Sequence, residues 1–227
     1  MATITLKEAK ILIDSLEPVV DIFKVGSQLF TACGPGIVRH LMERGKKVFL
    51  DLKFHDIPNT VANAVSSAVR LSDGKNSLLM LTLHIVGGAQ MLKEAVSAAQ
   101  KTAQDLNVQR PFLVGITVLT SDAKVDNIRD IVLQRAQLAK ACGLDGVVAS
   151  SQEANVIRQE LGEDFIIVTP GIRPVGSSAG DQKRITTPSD AVIHGSHFLV
   201  VGRPIVKASN PLESAKQILK EIQQAQK

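Results

Sequence analysis

The chain runs to 227 residues, 44% of them hydrophobic and 21% charged, which is enough to bury a substantial core and too apolar for intrinsic disorder. No apolar run approaches the roughly 18–20 residues of a membrane span, and the first residues lack the basic-then-apolar order of a secretory leader, so a cytoplasmic protein without membrane contact is expected. A net charge of +4, with neither Trp nor Tyr and only seven Phe, points to a small anionic substrate rather than nucleic acid.

In chain order the pattern predicts a helix at 6–16, opened by the capping box Thr5-x-x-Glu8. A strand at 21–26, a helix at 35–44, a strand at 47–54 and a helix at 59–71 follow, then a strand at 78–84 and a helix at 89–105. The second half reads as strand 112–119, helix 127–141, strand 146–150, helix 151–161, strand 165–169, helix 188–194, strand 198–202 and helix 211–226. Ser150-x-x-Glu153 is expected to cap the helix at 151–161 as Thr5 and Glu8 cap the first. Short apolar strands alternating with amphipathic helices build a parallel sheet, and the fold class is α/β, a (β/α)₈ TIM-type barrel in a single domain over residues 1–227. Seven strands are read where a closed barrel has eight, and the chain starts on a helix, so the first strand is expected to be missing, with Thr3 and Ile4 forming at most a stub. The irregular stretch 170–187, rich in Gly and Ser, exceeds ordinary connections, a length usually reserved for function. Cys33 and Cys142 lie far apart without metal-ligand spacing and read as reduced thiols.

The densest chemistry lies in Lys47-Val-Phe-Leu-Asp-Leu-Lys-Phe-His-Asp56. Strand alternation puts Phe49, Asp51, Lys53 and His55 on one face and Val48, Leu50, Leu52 and Phe54 on the other. Asp51 and Lys53 then point the same way near the carboxyl end of the strand, where barrel enzymes assemble their sites, with Asp56 on the following loop. Lys24, in Asp21-Ile-Phe-Lys-Val-Gly26, alternates onto the corresponding face of the preceding strand. The bland account is a salt bridge plugging the interior; the functional one is a charged array of two lysines and two aspartates. Neighbouring carboxylates favour ammonium groups, which suits a proton donor and not a Schiff-base nucleophile. Metal ligation by Asp51 and Asp56 lacks further carboxylates at the other strand ends, so neither metal nor cofactor is expected. Arg173, closing Thr169-Pro-Gly-Ile-Arg173, and Arg203, in Val201-Gly-Arg-Pro204, stand where such barrels hold phosphate. Either arginine alone reads as a solvated surface residue; the pair shifts the balance towards an anion site. His40, His55 and His84 read as packed or surface residues.

Phe49-Leu-Asp-Leu-Lys-Phe-His-Asp-Ile-Pro-Asn-Thr60 resembles the signature of the orotidine 5′-phosphate decarboxylase family in its bacterial branch. Phe23-Lys-Val-Gly26, Val118-Leu-Thr-Ser121, Leu144-Asp-Gly-Val-Val148, Thr169-Pro-Gly-Ile-Arg-Pro174, Asp181-Gln-Lys-Arg184 and Val200-Val-Gly-Arg-Pro204 continue the resemblance in the family's order. It implies decarboxylation of orotidine 5′-monophosphate to UMP and CO₂ in de novo pyrimidine biosynthesis, without metal or cofactor, by a homodimer with shared active sites. It further implies that Lys53 donates the proton, that Asp51 and Lys24 complete its network, and that Asp56 and Thr60 reach into the partner subunit's site. Thr120 would address the pyrimidine, Gln182 bridge base and phosphate, and Gly202 with Arg203 hold the phosphate beside the rim residue Arg173. The family's ribose-binding Asp, which ends the first strand, has no counterpart in this reading, and Leu71–Ser77 is longer than the family's usual connection. A related phosphosugar lyase or synthase, and a barrel remnant that binds nucleotide without turnover, are the alternatives.

Overall fold

The first described helix is held at its start by the capping pair expected from the sequence. In this computed structural model, which describes residues 5–74, 76–119, 127–174 and 184–226, the Thr5 hydroxyl accepts the Glu8 N–H at 3.2 Å and the Glu8 carboxylate accepts the Thr5 N–H at 2.7 Å. The helix, α1 (Leu6–Leu16), buries Ala9, Ile13 and Leu16, spaced to one face. It belongs to the first of two compact units, residues 1–113 with 142–144.

That unit continues through β1 (Ile22–Gly26), α2 (Ser27–Cys33), α3 (Gly36–Glu43), β2 (Lys47–Phe54), α4 (Pro58–Val69) and β3 (Leu78–His84). A 3₁₀ turn at Ile85–Gly87 then leads into α5 (Gly88–Leu106). β1 pairs with β2 and β2 with β3, all parallel. Val48, Phe49 and Leu50 are all buried, so β2 is covered on both faces, the condition a parallel strand requires. α4 and α5 pack on each other with Val61, Val65 and Val69 buried on one and Met91, Leu92, Ala95 and Ala99 on the other. α2 was not expected from the sequence: it buries none of its seven residues and so carries no apolar period to read.

The second unit comprises residues 114–141 and 145–227. From β4 (Phe112–Ile116), where the boundary falls, the chain runs through α6 (Ile128–Ala141), β5 (Gly146–Val148), α7 (Ser151–Leu161) and β6 (Ile166–Thr169). It ends with α8 (Pro188–Ile193), β7 (Phe198–Leu199), α9 (Arg203–Val206) and α10 (Pro211–Ala225). β4, β5, β6 and β7 pair in that order, in parallel. Seven strands and no strand ahead of α1 occur among the described residues, and Thr3–Ile4 lies outside them.

Three strands end earlier than expected, β5 among them, which stops at Val148 and not at residue 150. β4 stops at Ile116: the Thr117 N–H still donates to Val148 O at 3.3 Å, where its hydroxyl also donates at 2.7 Å, but its own carbonyl accepts from the Arg135 guanidinium. β7 stops at Leu199, and Gly202 already precedes the single turn of α9. The second capping box is also corrected. The Ser150 hydroxyl accepts the Gln152 N–H at 3.4 Å, but the Glu153 carboxylate, instead of returning to Ser150, pairs with Arg184. A buried guanidinium competes better for a buried carboxylate than a neutral backbone N–H does.

Gly146 sets the closeness of β5 and β6. A Cβ there would lie 2.2 Å from Ile166 O and 2.6 Å from Ile166 Cβ, both fixed by the sheet. Gly146→Ala should therefore cost about 1–3 kcal/mol through forced strand separation, read as a thermal midpoint lower by several degrees.

Candidate active site

The carboxyl end of β2 carries the chemistry because its backbone departs from regular strand geometry there. Against β3 the register runs Leu50↔Leu81 and then Phe54↔Leu83, so four steps on β2 match two on β3. Lys53, inside this bulge, has φ = +56°, the left-handed region that L residues rarely enter and that concentrates at functional sites. Strict alternation therefore ends before Lys53, correcting the expectation that it continues to His55. The two charged residues still meet, through the bulge: Lys53 Nζ lies 2.7 Å from Asp51 Oδ1.

Lys24 Nζ reaches the other oxygen, Asp51 Oδ2, at 3.2 Å. Gly26 stands opposite Asp51 in the β1–β2 register, and a Cβ on it would come within 2.9 Å of that ammonium. One buried carboxylate, 8% exposed, is thus gripped on both oxygens by two lysines whose side chains remain about one-third open to solvent. Burial pushes the Asp51 carboxyl upward; the Lys24 charge, the Lys53 hydrogen bond and charge, and a hydrogen bond from Thr82 outweigh it and hold the group below its ordinary value.

Asp56 stands apart from this network. It is exposed on the loop before α4, and its carboxylate accepts the Ile57 N–H at 2.7 Å. Thr60, in the first turn of α4, is exposed as well. His55 and His84, at the ends of β2 and β3, face each other with ring centroids 5.6 Å apart. Residues of α3 and of the segment that follows α4 line a pocket of about 190 Å³, among them Arg39, Glu43, Arg70 and Asp73, mixed in charge and free of the candidate residues.

In the second unit, Arg173 is buried (6% exposed), so the reading of a solvated surface arginine fails for it. Its Nη1 donates to Ile172 O at 2.7 Å, and its backbone N–H donates to Thr186 O at 2.8 Å. The Thr186 N–H returns a bond to Gly171 O at 3.4 Å, so 171–173 and 184–187 run side by side. Arg184 anchors the second of these stems to the first turn of α7. It donates to Gln152 Oε1 at 3.2 Å through two nitrogens and pairs with Glu153, both ions being buried. Burial raises the Glu153 carboxyl above its ordinary value despite the opposing pull of Arg184. Gly202 is exposed and Arg203 half-buried at the start of α9, where Gly202 O accepts from Ile205 and Val206 N–H, each at 3.0 Å. Thr120 and Gln182 lie outside the described residues.

Sequence reading missed Gly26, Thr82, and the anchoring by Arg184 and Glu153. The signals were present: a glycine ending a strand, one Thr inside the otherwise apolar run Leu78–Leu83, and a Glu in a helix's first turn.

The model of the orotidine 5′-phosphate decarboxylase / HUMPS family matches residues 3–218. The chain is similar to the orotidine 5′-phosphate decarboxylase of Syntrophomonas wolfei, 44% identical over 96% of this chain and 93% of that protein. It is 45% identical to that of Moorella thermoacetica, over 93% and 86%. Among solved structures, the orotidine 5′-phosphate decarboxylase of Lactobacillus acidophilus superposes with a TM-score of 0.81 at 34% identity, covering 98% of this chain and 96% of that one. The Pyrococcus horikoshii enzyme gives 0.73 at 25%, covering 96% and 93%. The fold class is accordingly α/β, a TIM-type barrel.

Asp51 generates a prediction about acid stability. A carboxyl held below its ordinary value of 3.8 stabilises the fold above about pH 4, and this contribution is lost as pH falls through the depressed value. Urea unfolding at pH 5, 4 and 3 should show wild type losing more stability on acidification than Asp51→Asn, and equal losses would show that Asp51 is not held ionised by its partners.

Proposed function

Since the chain belongs to the orotidine 5′-phosphate decarboxylase / HUMPS family, we propose that it converts orotidine 5′-monophosphate to UMP and CO₂, the decarboxylation step of de novo pyrimidine biosynthesis. The single observation that carries the mechanism is the Lys24–Asp51–Lys53 array, in which two ammonium groups share one buried carboxylate. When the bond between ring carbon C6 and the departing carboxylate breaks, CO₂ leaves and the electron pair stays on C6. That carbon cannot delocalise the charge, so catalysis requires a cation fixed beside it in advance. Lys53 is the proposed cation and proton donor: its ammonium stabilises the developing carbanion, then transfers a proton to C6 and recovers one from solvent. Asp51 and Lys24 hold it in place.

We assign Thr120 to the pyrimidine, Gln182 to the bridge between base and phosphate, Gly202 and Arg203 to the phosphate, and Arg173 to the rim of that site. The paired stems 171–173 and 184–187 support this assignment by giving Arg173 a fixed, buried seat. Asp56 and Thr60 are proposed to complete the site of the partner subunit in a homodimer; their exposure supports that reading. The family match spans both compact units, which supports treating residues 1–227 as one catalytic domain. No described helix is long and apolar enough to cross a membrane; for an enzyme of nucleotide synthesis we propose a cytoplasmic location.

Loss of orotidylate absorbance in the presence of EDTA tests the reaction, and a requirement for added Mg²⁺ would favour a related phosphosugar lyase instead. Lys53→Ala should lower kcat by about 10³-fold or more while UMP affinity changes little, because the ammonium acts mainly in the transition state; retained turnover would remove Lys53 from its role.

Subunit sharing has its own readout. Mixing the inactive Lys53→Ala and Asp56→Ala proteins should restore activity through heterodimers with one intact site, and no recovery after demonstrated subunit exchange would show each chain to be self-sufficient.

A further inference from the structure

We infer that Thr82 is a positioning residue for the Lys53 ammonium, an inference that rests on the role proposed for Lys53. Thr82 lies within β3 and is fully buried, where Val would be the ordinary choice: equally branched, well suited to a strand, and free of a hydroxyl that needs partners. Its hydroxyl has two partners, and both belong to the charged array. The Lys53 backbone N–H donates to Thr82 Oγ1 at 2.9 Å, and Thr82 Oγ1 donates to Asp51 Oδ1 at 3.0 Å. Asp51 Oδ1 is the same oxygen that accepts from Lys53 Nζ at 2.7 Å.

These bonds close a ring: Lys53 N–H to Thr82, Thr82 to Asp51, and Lys53 Nζ back to Asp51. One hydroxyl therefore fixes Lys53 at both ends, its backbone directly and its ammonium through the carboxylate. The bulge explains why the backbone needs this. Between Leu50↔Leu81 and Phe54↔Leu83 the β2–β3 ladder is interrupted, and the Lys53 N–H, in a left-handed residue, finds its acceptor in a side chain of β3. Accepting that N–H also orients the hydroxyl, whose proton is then directed at Asp51. Without the hydroxyl, the bulge loses the bond that spans it, the N–H is left without its acceptor, and Asp51 loses one of the contacts that keep it ionised.

The test uses the full chain with Thr82→Val and Thr82→Ser, after wild-type turnover of orotidylate has been measured. Thr82→Val should lower kcat by about 10–100-fold, the scale of a small misplacement of a reacting group, with KM and UMP affinity within about threefold of wild type. The acid limb of its kcat profile should move to higher pH, because Asp51 has lost a stabilising bond. Thr82→Ser keeps the hydroxyl and should recover kcat to within a few-fold. If Thr82→Val does not fold, Thr82→Ala and Thr82→Ser carry the test, since both lack the methyl and only Ser retains the hydroxyl. Wild-type kcat and pH profile in Thr82→Val, or equal kcat losses in Thr82→Ser and the variants without the hydroxyl, would overturn the inference. Absence of turnover in the wild type would instead overturn the proposed reaction on which it rests.

Discussion

A carboxylate that is almost out of water is expensive to keep ionised, and the environment of Asp51 meets that cost on every side. Each oxygen faces an ammonium, and one of them also receives a hydroxyl proton. The surrounding backbone is arranged around these contacts. β1 ends in a glycine opposite the carboxylate, so the Lys24 ammonium has room. β2 gives up its regular ladder for a bulge and a left-handed lysine, and β3 supplies the Thr that spans the gap. The arrangement holds cations at a defined place while leaving about a third of each lysine side chain accessible.

The second unit solves a different problem with the same economy. Its long connection after β6 starts and ends in two stems that bond to each other, and the later stem is tied to α7 by a buried Arg184–Glu153 pair together with Gln152. Buried pairs contribute little net stability because desolvation offsets attraction, whereas their demand for partners makes the local geometry specific. Arg173 sits on the earlier stem and inherits that definition through its bond to Thr186.

Much of this was legible without coordinates, because periodicity records burial. The strands at Lys47–Phe54 and Leu78–His84 and the helix at Leu6–Leu16 have the limits read from apolar spacing and capping chemistry. Where apolar periodicity was weak the reading failed: α2 buries nothing, and α9 is a single turn. The families of residues around Asp51 and Lys53, and the arginines near the last strands, were visible as charges set into apolar runs, and the long FHDIPNT continuation tied them to one enzyme family.

What the sequence by itself determined was therefore the order of elements, the family, and the identity of the charged residues, all of which are local properties of spacing and residue type. What only the tertiary structure decided was which groups touch. That Lys53 turns back through a left-handed bulge, that Glu153 leaves its helix cap for Arg184, and that Thr82 joins a backbone N–H to a carboxylate 31 positions away all depend on register between strands and on competition for buried partners. A single chain's periodicity carries no record of either, because register and hydrogen-bond competition are settled only when segments distant in sequence exclude water from one another.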